Sequence, residues 1–505
     1  MNKLAVLGLA ALVGLAGCTL GPDYKRPSVD MPSSKFASTH LSQKQRKALA
    51  SWWEKFGDAK LNHMINEALD RNLKIAKQVQ VVRQERAALG MANADLFPTV
   101  SGQADAARQE VSRNSASGAS SADRRSDQFS VSGTLDYEVD LFGRLRRSRQ
   151  AARAQLLSSA YTQDSIRLTV IADVVTNYLT LRSLQRQIRV TQDTIETRKK
   201  GLSLDKKRYK YGAINKLTLL QTRSLLQSAR AQLPPLKKQV GKQKTALAIL
   251  TGKTPRQIMN HMEVADGKFS QIKVPELPKA IPSLVVDRRP DIRAAEAKLI
   301  AANADVGAAK AKFFPTFNIT AMIGSKSTDV SDLFDPLSTA SSITGSITQP
   351  ILDFGQRSAN YTSKKARKQQ AVIAYRQTLR QAFKGVSDAL TEVKYTKQRL
   401  QSVRSELQKY RDTLQLARTR YKAGQTNFFN VLDAQRNVYS TQLDLATSIR
   451  NRFTAIANLY KAIGGGWTHS SDSLTPAMED TMREYDQRAR DASDGKASAD
   501  NASAD

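Results

Sequence analysis

Two long stretches without proline limit what this chain can fold into. From Arg144 to Tyr211, and again from Gln356 to Ala423, nearly seventy residues pass without one. As single helices rising 1.5 Å per residue they would each span on the order of 100 Å, more than a globular domain needs. Apolar residues recur in them sparsely, as in Ile166, Val170, Val174, Tyr178, Leu181 and Leu184, or Val372, Tyr375, Leu379, Phe383, Val386 and Leu390. That spacing suits coiled-coil walls rather than closed cores. Composition agrees, since 25% of the 505 residues are charged and only 6% are aromatic, thin material for several compact domains.

Both stretches end on one turn. RYKYGAINKLTLLQTRSLLQSARAQL (208–233) aligns without gaps on RYKAGQTNFFNVLDAQRNVYSTQLDL (420–445), matching Arg208 with Arg420, Tyr209 with Tyr421, Gly212 with Gly424 and Asn215 with Asn427. The two glycines suit the left-handed position just past a helix C-terminus. Each turn closes a helical hairpin whose return arm covers about 215–251 or 427–463. Pro234-Pro235 predicts a break in the first return arm; the second has no proline.

The duplication extends upstream. A helical pattern from about Asp58 and Ala59 to Leu96, apolar at Leu61, Ile65, Ala68, Leu69, Ala76, Val79, Val82 and Ala87, runs into Phe97-Pro98-Thr99. The run VVDRRPDIRAAEAKLIAANADVGAAKAKFFPTF (285–317) does the same at Phe314-Pro315-Thr316. Here Pro290 fits the first turn of a helix, Asp291 its positive end, and Arg293 with Glu296 could bridge along it. Strands follow in each copy. Phe129, Val131, Gly133, Leu135, Tyr137, Val139 and Leu141 alternate with Ser130, Ser132, Thr134, Asp136, Glu138 and Asp140, opposite a weaker strand from Pro98 to about Val111 across a loop at 112–127. Phe317, Ile319, Ala321 and Ile323, then Ile343, Gly345, Ile347 and Ile351, form the second pair around a loop at about 325–340. Both pairs leave through Phe-Gly, at Phe142-Gly143 and Phe354-Gly355.

The N-terminus, Met1-Asn2-Lys3 followed by an apolar run from Leu4 to Leu15, reads as a secretory signal too short to span a bilayer as a mature helix. Leu15-Ala16-Gly17-Cys18 resembles a bacterial lipobox, which implies cleavage before Cys18, lipidation of its thiol with diacylglycerol and palmitate as the lipid on that residue, and, with Thr19 next, sorting to the outer membrane. Cys18 is the only cysteine, so no internal disulfide forms. The net charge of +32 could attract nucleic acid, but Lys and Arg are spread through helical periods on an exported chain, so no nucleic acid partner is expected. His40, His63, His261 and His469 lack ligand spacing, which predicts no metal and no other cofactor. Thr251-Gly252-Lys253-Thr254 lacks the glycine five places before Gly252 that a phosphate loop needs.

The expected plan is therefore a signal at 1–17, a lipidated tether at 18–58, and a first repeat at 59–253 with its β-hairpin at about 98–141 and tip at 209–218. A linker at 254–283 leads to a second repeat at 284–465 with its hairpin at about 315–352 and tip at 421–433. A Ser-, Ala- and Asp-rich tail at 466–505 is expected to be disordered. The fold class is α+β. Four strands per chain are too few for a closed sheet in lipid, so the chain must associate in multiples of four strands.

These residues carry a resemblance covering nearly the whole chain, to about Gly466. The lipobox, Arg289-Pro290-Asp291-Ile292-Arg293 with Ala294-Ala295-Glu296, Ala301-Ala302-Asn303, Phe314-Pro315, the Phe-Gly exits and the tip run Val431-Leu432-Asp433-Ala434-Gln435 look like the outer membrane factors of tripartite efflux pumps. Within that TolC-like family the chain resembles the NodT-type lipoproteins. The resemblance implies no enzyme but a homotrimer, with a 12-stranded outer membrane β-barrel continued by a periplasmic α-helical barrel. It also implies a periplasmic adaptor and a proton-driven inner membrane transporter as partners, and drugs or other small molecules as cargo. An outlet of a type I protein secretion system is the alternative, since no motif here tells the two apart. The family's gate positions fall on Tyr421, Thr426, Asn430 and Asp433, and on Thr218. Tyr421 and Asp433 keep the pattern, whereas Thr426, Asn430 and Thr218 stand where charged residues occur in the best known members. Small residues at the turns, Gly212, Ala213, Gly424 and Gln425, would let the adaptor's hairpin approach.

Overall fold

A computed structural model describes residues 19–28, 49–112, 114, 125–259 and 289–466. The signal, Cys18, most of the linker, the 467–505 tail and His40, His261 and His469 lie outside the described residues. The described elements fall into two series. The first is α1 (Ala59–Arg71), α2 (Leu73–Ala94), β1 (Thr99–Glu110), β2 (Arg125–Val139), α3 (Arg144–Lys210), α4 (Lys216–Leu250) and the short α5 (Pro255–Met259). The second is α6 (Pro290–Ala311), β3 (Thr316–Ser327), β4 (Thr339–Thr348), α7 (Gln356–Lys422) and α8 (Phe428–Ala462). The long helices match in length, 67 residues for α3 and α7 and 35 for α4 and α8. Two compact units cut across the repeats, each taking parts of both copies.

The unit of residues 1–29, 81–159 and 294–376 carries the sheet. Its order is β1-β2-β3-β4, antiparallel throughout. The register aligns Val100 with Leu135, Ala321 and Ile343, and places Tyr137 by Ile319 and Val139 by Phe317 and Ile347. One face is therefore apolar, and the other carries Ser101, Thr134, Thr320 and Thr344. The apolar face is uncovered, with Ile323, Ile343 and Ile347 66%, 84% and 68% exposed. β2 starts four residues earlier than its alternation suggests and stops at Val139, because Asp140 turns to accept hydrogen bonds from the backbone N–H groups of Leu145 and Arg146 at the start of α3. β4 ends at Thr348, short of Ile351, because Pro350 has no N–H for a ladder. Asp353 then repeats the role of Asp140, accepting from the Arg357 backbone and guanidinium. Its carboxyl is held below the usual range by the Arg357 side chain first and that backbone N–H second.

Residues 19–28 have no regular secondary structure but are fastened to the sheet-bearing unit. Leu20 donates to the Phe142 carbonyl, Arg147 reaches the Leu20 carbonyl and Asp23, and Asn303 donates to the Pro22 carbonyl. Gly143 permits this: with φ +75°, it leaves room for Thr19, whose Cγ2 would lie 2.8 Å from an added Cβ. Glu296 is held by Arg26, at 2.6 and 2.7 Å, and by Tyr24.

The unit of residues 30–80, 160–293 and 377–505 holds the main apolar core. Trp52, Trp53 and Phe56, which fall within the 18–58 segment expected to be a tether, form a buried 3₁₀ turn, and Trp52 stacks on Tyr460 at 5.2 Å. Leu61, Ile65, Val174, Tyr178, Leu247, Ile456 and Leu459 belong to the same cluster. Asp58 caps α1 through the Lys60 and Leu61 N–H groups and accepts a hydrogen bond from the Tyr178 hydroxyl. Burial and then that carboxylate push the Tyr178 phenol up, so it stays a donor. The helix expected to run unbroken from Asp58 to Leu96 is instead divided at Asn72. Its backbone is extended, its side-chain oxygen accepts from Lys74, and its amide donates to the Leu250 carbonyl at 2.8 Å. The predicted break at Pro234-Pro235 is absent, since α4 runs through both. Adjacent prolines disturb one turn only, and Arg230 and Ala231, whose carbonyls lose their donors, are exposed to water. In the Arg289-Pro290-Asp291-Ile292-Arg293 run, Pro290 opens α6, Asp291 accepts from Arg289 and Ile292, Arg289 also donates to the Ala462 carbonyl at the end of α8, and Arg293 lies over Tyr161.

Trp52→Ala is expected to lower stability by about 3–5 kcal/mol, against about 0.5 kcal/mol or less for the exposed Leu73→Ala, read as unfolding midpoints by circular dichroism.

Candidate functional site at the helical tips

The tips are built from the same bonds twice. At the first, the N–H of Gly212 donates to the Tyr209 carbonyl and that of Ala213 to Arg208; at the second, Gly424 donates to Tyr421 and Gln425 to Arg420. Gly212 has φ +72° and Gly424 φ +74°, a conformation costly for any residue with a Cβ. Asn215 then caps α4 by accepting from the Thr218 N–H at 2.9 Å, and Asn427 caps α8 by accepting from the Asn430 N–H at 3.3 Å. These caps were readable as Asn three residues ahead of a polar N–H donor at the start of an apolar run. Gly212, Ala213, Gly424 and Gln425 are all exposed, and an added Cβ at either glycine meets no atom within 4 Å.

Four of the positions matched to a gate, Tyr421, Thr426, Asn430 and Asp433, are brought to one end of α7 and α8, where Asn430 and Thr426 bond to each other. The half-buried Tyr421 packs its ring against Phe428, with centroids 5.1 Å apart. Asp433, also half-buried, accepts from Asn437 one turn along, and Asn430 donates to Thr426 at 2.6 Å. Among the described residues no hydrogen bond joins Tyr421 to Asp433. Thr218 sits on the other hairpin, where its carbonyl accepts from Thr222. Thr222 in turn donates to the buried Asp205 at 2.9 Å, tying α4 to α3 near the tip. Sequence reasoning missed Asp205, Thr222 and Phe428, whose partners lie across a hairpin or a turn rather than along a face.

Away from the tips, bonds hold the four long helices in a series. Arg198 donates to the Leu225 carbonyl, joining α3 to α4; burial lowers its guanidinium pKa. Ser183 reaches the Ala446 carbonyl and Thr191 meets Tyr439, joining α3 to α8, while Arg452 to the Val393 carbonyl and Arg399 to Asp444 join α8 to α7. The helices α4 and α7 stand at the ends of this series. No described helix is long and apolar enough to cross a membrane. Asn427→Ala is expected to cost the second tip about 1 kcal/mol, seen as faster amide exchange at Asn430 with exchange at Thr218 unchanged.

The family model described as outer membrane efflux protein matches residues 64–253 and 281–465. The toluene efflux pump outer membrane protein TtgF of Pseudomonas putida is 31% identical over 487 residues, 94% of this chain and 99% of the relative. The cation efflux system protein CusC of Escherichia coli is 29% identical over 92% of this chain and all of its own length. Among solved structures, the CmeC outer membrane channel of Campylobacter jejuni aligns with a TM-score of 0.82 at 25% identity, covering 92% of this chain and 98% of that one.

Proposed function

The chain belongs to the outer membrane efflux protein family, and from that premise we propose that three copies close one channel that carries drugs or other small molecules out of the periplasm. The chain is an outer membrane efflux component and not an enzyme. The observation that carries the assembly is a sheet with one apolar and one polar face whose outer strands, β1 and β4, each pair on one side only. In lipid the free edges must find partners, and β4 of one copy against β1 of the next supplies them. Two copies would make a barrel of about eight strands, which side chains fill; three make about twelve, enough for a lumen. Across the register, Ile323, Ile343 and Ile347 then meet lipid while Thr134, Thr320 and Thr344 line the passage. The end helices α4 and α7 offer the corresponding contacts for a helical wall in the periplasm.

The remaining roles rest on the tips and on the N-terminal arm. The exposed Gly212, Ala213, Gly424 and Gln425 form the seat for a periplasmic adaptor, which connects the channel to a proton-driven inner membrane transporter. Asp433 and Tyr421 line the gate; Asn430, Thr426 and Thr218 contribute polar contacts without charge. A ring of Asp433 carboxylates in a narrow aqueous throat attracts cations. Diacylglycerol and palmitate on Cys18 hold the arm at the membrane, a reading supported by the fastening of Thr19 and Leu20 beside the sheet exit.

On the apolar face Ile343→Lys is expected to cost about 2–4 kcal/mol per copy in the bilayer, while Thr344→Lys on the other face is tolerated. Heat-modifiable gel mobility and trimer yield from outer membranes measure both, and equal tolerance would overturn the assignment of faces. The channel itself is tested by toxicant sensitivity of a deletion strain complemented with wild type or Cys18→Ser, with palmitate labelling of each. At the tips, Asp433→Ala should reduce cation preference in planar bilayers, and Gly424→Trp should abolish efflux with trimer and export intact. Unchanged selectivity, or loss of the trimer, would remove those respective roles.

A further inference from the structure

Helix α4 carries seven basic residues and no acid, whereas its counterpart α8 carries four basic and two acidic residues. Five of the seven, Lys216, Arg223, Arg230, Lys237 and Lys244, recur at intervals of seven. In a coiled coil a seven-residue interval stays on one flank for the whole length. The first four are exposed and Lys244 is half-buried, and among the described residues none pairs with an acid. Toward its C-terminal end the stripe borders a groove of about 270 Å³, lined by Lys237, Gly241 and Lys244 with the apolar Val240, Ala248 and Ile258. Such a row of like charges repels itself and calls for an acidic, partly apolar occupant.

We propose that residues 467–505 of the same chain dock along this flank, with 474–486 seated in the groove. Three observations select that segment. Of the stretches outside the described residues it alone is net acidic, with nine acids against four bases; 29–48 has one against four, and 260–288 four against four. A neighbouring α7 is no substitute, holding seventeen basic and four acidic residues. The segment starts in the right place. Gly466 donates to the Leu49 carbonyl beside Trp52, and Leu247 of α4 belongs to the same apolar cluster as Trp52. From there the dozen residues to Met478 can span roughly 40 Å when extended, more than the roughly 15 Å along α4 from Leu247 to Lys237. Its pattern also fits. Met478, Met482 and Tyr485 fall at i, i+4 and i+7, the sequence spacing that a helix docking its apolar face on the Val240, Ala248 and Ile258 walls would need. Glu479, Asp480, Glu484 and Asp486 stand among them to meet Lys237 and Lys244. Docking offsets the unpaired charge of α4 and covers its groove.

Photo-crosslinking in the full chain tests this. A benzoylphenylalanine at Gly241, where an added Cβ meets nothing within 4 Å, should crosslink to 474–486 without changing subunit mass on a denaturing gel. Lys237→Glu with Lys244→Glu should cut the yield about tenfold, the effect of losing and reversing two ion pairs, and Glu479→Lys, Asp480→Lys and Glu484→Lys added to that pair should restore it. Crosslinks to 260–288, to another copy or to a separate protein, or a yield indifferent to charge reversal, would overturn the proposal. Deletion of 474–486 gives an independent reading: acetylation of Lys237 and Lys244 should speed up relative to Lys216, and an unchanged ratio would count against docking.

Discussion

The free edges of a four-stranded sheet are the constraint on which the rest depends. In water the outer N–H and C=O groups of β1 and β4 would be met by solvent; in hydrocarbon each unmet group costs several kcal/mol. A sheet with an apolar face of Val100, Leu135, Ile319, Ile323 and Ile343 cannot turn that face to water without loss, and cannot enter lipid alone without loss at its edges. Association resolves both. The duplicated chain is suited to it, because two hairpins in one polypeptide halve the number of separate copies that must meet.

The strand ends follow from the same need. A strand cannot fray into irregular backbone at membrane depth, so each pair begins just after a proline, Pro98 or Pro315, and leaves through a capped helix start. Asp140 and Asp353 perform that capping with backbone N–H groups and an arginine each. The Phe-Gly exits are less alike than their sequences suggest. Phe142 packs against Phe314 at 4.8 Å, whereas Phe354 is 92% exposed and itself adopts φ 48°. A large apolar ring left outside at the foot of the sheet, with a strained backbone, is consistent with a surface that another copy or lipid covers.

What could be read from the sequence was what repeats locally. Strand alternation, helix length and the Gly and Asn of the tips are set by neighbours within a few residues, and the structure follows them closely at both copies. What could not be read depends on distant partners. Nothing in the three- and four-residue periodicity from Leu61 to Val82 marks Asn72 as a break, because its decisive bond goes to the Leu250 carbonyl. The fastening of residues 19–28 depends on Arg147 and Asn303, and the burial of Trp52 on Tyr460. The Pro234-Pro235 expectation failed for the opposite reason: a sound local rule was relaxed by exposure to water. At the tips the positions of Tyr421 and Asp433 were legible and their contacts were not, since Phe428 and Asn437 become partners only once the turn and cap have formed.

Duplication gives the two halves the same backbone, and function then requires that they differ. Helices of equal length, glycines with the same φ and asparagine caps at matched places make α3 with α4 and α7 with α8 nearly interchangeable as struts. A closed wall of such struts needs that equivalence, because unequal hairpins would not reach a common rim. The side chains break it. Thr218 stands where α8 has Asn430, Asp205 is tied to Thr222 at the first tip while Asp433 turns to Asn437 at the second, and α4 has no acid at all. In an assembly of three copies the backbone would present six equivalent hairpins, and these substitutions reduce the symmetry to three. Only the lower symmetry lets one set of hairpins hold while the other moves, which is what a gate at the rim requires.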